Sequence, residues 1–151
     1  MIYLLVATLI GASAAADTQQ ILRQWSREVR SEEFVAPSPV EFAGMRDLMR
    51  LALQGDPASA WARAPVLGFQ VDHLLGDEML VVLRDSAKAR GGGFYAFRNN
   101  AAGERDRRSV VVQAPHAFYD GGTGLLATRV FAATHAKALC LNTAQRYVAP
   151  N

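Results

Sequence analysis

The stretch "SVVVQAPHAFYDGGTGLLATRVFAATHAKALCLNT", residues 109–143, decides the reading of the chain. It opens with the apolar run SVVVQA, of the continuous kind that a strand shows when both of its faces are buried. A polar loop follows, and then GTGLLATRVFAATH, which reads as a helix with Leu125, Leu126, Val130 and Phe131 on its inner side. KALCLNT is a second apolar strand. Strand, helix and strand in this order imply parallel strands joined by a right-handed crossover. In open sheets of this type, ligands bind outside the carboxyl ends of the strands. Both strands end in polar clusters, APHAFYDGGT and NTAQRY, so both clusters fall on one sheet edge.

Upstream, DTQQILRQWSREVRSEEF places Ile21, Leu22, Trp25 and Val29 at helical spacing. Pro37 and Pro39 end that helix. A second helix is expected in VEFAGMRDLMRLALQGD, with Phe42, Met45, Leu48, Met49 and Leu53 on one stripe and Gly55 as its stop. VLGFQVDHLL, EMLVVLRD and GGFYAFRN then read as a small antiparallel meander parted by glycine-rich turns. The fold class is therefore α/β: the start of an open, mostly parallel sheet (βαβ, residues 109–143) preceded by N-terminal helices and a small antiparallel meander.

Residues 1–16 stand apart. Ile2 to Ile10 form an apolar run with one Thr, and Ala12-Ser13-Ala14 and Ala14-Ala15-Ala16 both fit a small-residue cleavage pattern. The run is shorter than the roughly 20 apolar residues of a membrane span. It reads as a signal peptide, although no Lys or Arg precedes it, and the expected location is periplasmic or secreted. Residues 17–151 read as the N-terminal part of one α/β hydrolase-like domain, incomplete at Asn151 because the chain stops just after a strand.

The formal net charge of +2 argues against a nucleic-acid partner. The densest basic run, GERDRRS, also contains Glu104 and Asp106. Cys140 is the sole cysteine, set among apolar neighbours, so it reads as a small buried hydrophobe and a thiolate zinc site is excluded.

His116 and Asp120 lie on a loop between Pro115 and Gly121-Gly122. An imidazole and a carboxylate within reach of each other can bind a divalent cation, with a third ligand from elsewhere. The alternative is a His–Asp hydrogen bond that stiffens the loop. DGGTG opens a helix, where exposed amides attract anions and Thr123 can cap; a glycine-eased turn explains it equally well. The glycines match neither a Walker loop nor a dinucleotide fingerprint. Asn142, Thr143, Gln145 and Arg146 follow the second strand, and the Arg146 fork suits a substrate carboxylate or simply a surface position. His73 and His135 are weaker candidates. No G-x-S-x-G elbow is present.

Over residues 109–147 this pattern resembles the first metal motif of zinc-dependent amidohydrolases and carboxypeptidase-like exopeptidases, in particular the N-formylglutamate amidohydrolase and poly-γ-glutamate hydrolase groups. There an apolar strand is followed by a His and then by an acidic residue. In the second group a Gly-Thr opens the next helix, as Gly122-Thr123 does here. The resemblance implies that His116 and Asp120 are the first two zinc ligands, with Asn142 and Arg146 placed to hold a substrate carboxylate. It also implies a third ligand and a general-base Glu beyond Asn151. The expected function is an exported metal-dependent hydrolase of amide or peptide bonds in small-molecule or peptide substrates bearing a carboxylate. The competing expectation is a non-catalytic exported module that binds a small anion or a protein partner.

Overall fold

The computed structural model describes residues 17–54, 57–74, 80–86, 91–98, 110–134 and 136–145. The leader-like run 1–16, His135 and Arg146 lie outside them.

Helix α1 covers 17–28. Leu22, Ser26 and Val29, one turn apart, are buried, and Trp25 packs beside them. After an extended passage, α2 runs Pro39–Gln54. Proline fits its first position because that N–H has no helical partner in any case. Ser38 closes the end. The Glu41 amide donates to its hydroxyl at 3.2 Å, and its own amide donates to the Glu41 carboxylate at 2.8 Å. Leu48 is buried with Met45, Met49 and Leu53 packed near it, whereas Phe42, on the same stripe by spacing, is 63% exposed. Helix α3 (Pro57–Arg63) and a 3-10 turn (Pro65–Leu67) lead into the strands.

The strands are β1 (Phe69–Leu74), β2 (Leu80–Asp85), β3 (Phe94–Arg98), β4 (Val111–Ala114) and β5 (Ala138–Leu141), with helix α4 (Thr123–Ala133) between the last two. They form one open sheet in the order β1-β2-β3-β5-β4. The expected meander and βαβ unit are both present, joined by an antiparallel β3–β5 pairing, while β4 and β5 pair in parallel. The sheet is therefore mixed: one parallel pairing and three antiparallel. Strand alternation gives it two apolar faces. Leu80, Val82, Phe94, Ala96, Leu139 and Leu141 meet α1 and α4 on one face. Leu83, Phe97 and Ala138 meet α2 and α3 on the other.

Two sequence readings change. Strand β4 is not buried on both faces. It lies at an edge of the sheet, and Val111 and Gln113 are exposed while Ala114 is buried. No described helix covers its Val111–Gln113 face. Helix α4 is also turned differently. Its inner side is Gly124, Ala127, Thr128 and Phe131, and Leu126 and Val130 face outward at 62% and 39% exposure. Small residues bring the helix close to the sheet, and Phe131 fills the core. The buried Thr128 hydroxyl is satisfied by the carbonyls of Gly124 at 3.1 Å and Leu125 at 3.0 Å. Arg98 closes the far end of α4, donating to the carbonyls of Phe131 at 2.6 Å and Thr134 at 2.8 Å.

Candidate functional site

Parallel pairing brings the carboxyl ends of β4 and β5 to one edge, and Pro115 ends β4 there. The loop 115–122 then folds on its own backbone. The His116 carbonyl accepts from the amides of Tyr119 at 3.3 Å and Asp120 at 3.2 Å. The Thr123 hydroxyl lies 2.9 Å from the carbonyls of both His116 and Asp120 and donates to them as a three-centre bond. This corrects the expectation that Thr123 caps α4. The N-cap is Gly122, in the left-handed region at φ 88° with no side-chain cap bond, and Thr123 faces back into the loop. The Asp120-to-His116 bond spans four residues, one turn of α-helix, and side chains so spaced emerge on the same side.

Two clamps hold the loop to the rest of the molecule. From β5, the Asn142 amide donates to Ala114 O at 3.1 Å and its side chain donates to Pro115 O at 3.0 Å. The same side chain accepts from the Ala144 amide at 3.0 Å. Asn142 thus builds the edge with the group that was expected to meet substrate. From the α1 side, the Tyr119 hydroxyl donates to Ser31 O at 3.1 Å and accepts from Arg30 at 3.3 Å. The start of α4 presses against the loop as well: a Cβ on Gly124 would collide with the Ala117 carbonyl, to which the Gly124 amide donates at 3.1 Å.

His116 is half-buried, and its Nδ1 is buried without a hydrogen-bond partner among the described residues. Asp120 is half-buried on the same turn. Among the described residues, no group of three His, Cys, Asp or Glu side chains converges to hold a metal. His73 is exposed on β1, the opposite edge strand, and belongs to no cluster with them. Arg146, and with it the expected carboxylate fork, lies outside the described residues.

The loop separates two concavities. On the α2 face, a cleft of about 250 Å³ is lined by Gly93, Tyr95, Gln113, Pro115, Cys140 and Asn142. Burial pushes the Cys140 thiol up to about 11, so it stays protonated and non-nucleophilic at neutral pH. Burial, with Cys140 and the Asp85 carboxylate nearby, pushes the Tyr95 phenol up to about 12. Its hydroxyl donates to Gly92 O at 3.0 Å. On the other face, a groove of about 520 Å³ runs between α1 and the loop, past Ala117, Phe118 and Gly122.

Sequence reasoning missed Gly124, Tyr119 and the arginines at 23, 27 and 30. The arginines were visible as an i, i+4, i+7 pattern. The roles of Gly124 and Tyr119 depend on contacts with Ala117 and Ser31 that carry no local signal.

Fold and site together define an open mixed α/β sheet with a histidine–aspartate loop at the carboxyl edge of its parallel strands. Comparison with known proteins finds no matching family, no matching curated protein and no matching solved structure.

Proposed function

We propose that the chain carries part of an exported, metal-dependent hydrolase of amide or peptide bonds in substrates that bear a carboxylate. The observation that supports this best is the turn itself. The 3.2 Å Asp120-to-His116 bond sets an imidazole and a carboxylate one helical turn apart at the carboxyl edge of a parallel strand pair. The Nδ1 of His116, which has no partner among the described residues, adds to it. A buried ring nitrogen with no partner is costly, and a cation would satisfy it.

One imidazole and one carboxylate suit zinc, which in catalytic sites takes three protein ligands. The described residues fit two of these, and the third is proposed to lie outside them. When bound, the metal supplies Lewis-acid polarisation of the scissile carbonyl and a more acidic water. His116 and Asp120 hold it. Thr123 fixes their spacing through the loop carbonyls, and Asn142 fixes the loop to β5. Arg146 is proposed to take the substrate carboxylate as a two-pronged donor. The apolar run 1–16 is the basis for proposing export.

Metal content by mass spectrometry on protein from the complete reading frame tests the reading. About one zinc per chain is expected, lost in both His116→Ala and Asp120→Ala. Metal-free wild type, or unchanged stoichiometry in folded variants, overturns it.

A further inference from the structure

The groove on the α1 side of the loop has a feature that the hydrolase reading does not use. Arg23, Arg27 and Arg30 occur at i, i+4 and i+7 and all line it. Like charges at this spacing repel along a helix. Arg30 is relieved by Glu32 at 2.8 Å and by the Tyr119 hydroxyl. Arg23 and Arg27 make no ion pair with any described residue, and none of the groove's described lining residues is acidic. Folding therefore lines a concave surface with guanidinium groups and leaves two of them without a carboxylate partner among the described residues.

The opposite wall adds to the positive field. It is formed by Gly122, Gly124 and Leu125 at the start of α4, where the helix dipole is positive. The amides of Thr123, Gly124 and Leu126 are bonded to Asp120, Ala117 and Gly122. The Leu125 amide has no partner among the described residues. Arg23 and Arg27 lie four residues apart on α1, roughly 6 Å along a helix that rises 1.5 Å per residue, and Arg30 follows just past the end of α1. A ligand with anionic groups at intervals can meet Arg23 and Arg27 on one wall and the start of α4 on the other.

We infer that this groove binds an extended polyanion, a linear ligand carrying two or more carboxylate or phosphate groups, with Arg23 and Arg27 as its principal contacts. Arginine suits both anions, since its fork matches either geometry. The site is separate from the proposed metal ligands, although Ala117, Phe118 and Gly122 of the same loop form part of its wall.

Calorimetric titration of the full chain at low salt, with tricarballylate and with tripolyphosphate, tests the inference. At least one should bind, and which one identifies the anion. Acetate should bind far more weakly. Arg27→Gln should weaken binding about tenfold, the loss of one charge-assisted contact, and Arg23→Gln with Arg27→Gln should abolish it. Both positions are on the helix surface, and circular dichroism checks that the variants fold. His116→Ala should retain the affinity, and the arginine variants should retain the metal stoichiometry, so this site and the metal site fail independently. Absence of binding by wild type, unchanged affinity in the double variant, or equal loss in His116→Ala would each overturn it.

Discussion

Strands β2 and β4 look alike as sequence and end in opposite situations. LVVL and VVVQA are both short, β-branched and apolar. Val81, Val82 and Leu83 are fully buried, with helices over both faces of the sheet. Val111, at the sheet edge, is 39% exposed, and Gln113 beside it faces out. The difference lies in position. A strand between two neighbours, under two helical layers, buries every side chain. An edge strand under one layer buries every second one.

A charge placed on each strand tests that contrast most severely. Val82→Asp puts an unpaired carboxylate between the sheet and α1–α4 and should cost about 4 kcal/mol or more. Val111→Asp should cost less than about 1 kcal/mol. Urea midpoints measure both, and similar losses would mean that β4 is covered as thoroughly as β2.

Alkaline pH probes the region where the two halves meet, since Tyr95 on β3 and Cys140 on β5 are register partners. Burial raises the thiol from 9.0 to about 11 and the phenol from 10.0 to about 12. The unfolded chain releases these protons first. Their contribution is therefore fully present below about pH 9 and is lost as pH rises to about 12. Each is worth on the order of 2 kcal/mol. Denaturation curves at pH 9 and pH 11 should show this fall, and Tyr95→Phe should flatten the part above pH 10.

Gly124→Ala tests the seam between α4 and the loop. Its methyl group meets the Ala117 carbonyl and should cost about 1–3 kcal/mol, with weaker zinc uptake measured in the same preparation. Ser38→Ala removes a hydroxyl that caps α2, the helix over the meander, and should cost about 1 kcal/mol in thermal unfolding. Metal uptake should be unaffected, because α2 packs on the face of the sheet opposite α1 and α4.

Much of the architecture is legible in the sequence. The period-2 strands and the strand–helix–strand order of 109–143 are local patterns, and that order makes β4 and β5 parallel, whereas α1 stops at residue 28, well before the expected break at Pro37 and Pro39. The same order puts His116, Asp120 and Asn142 at one edge. What Asn142 and Thr123 do there is not legible. A polar side chain after a strand can face a ligand or a backbone carbonyl, and only the positions of Pro115 O and His116 O determine which. Leu126 and Phe42 fail for a related reason: spacing gives a stripe, but the partner surface decides which part of the stripe is covered.

The sequence by itself determined the element types, the α/β class and the histidine–aspartate loop at a strand end, because these follow from periodicity and connectivity. The tertiary structure decided that β4 lies at an edge, that α4 turns Gly124 and Phe131 inward, and that Arg23, Arg27 and Arg30 line a groove beside the loop. Those outcomes depend on contacts between segments about a hundred residues apart, such as Ser31 with Tyr119 and Ala144. No local propensity encodes which surfaces will meet.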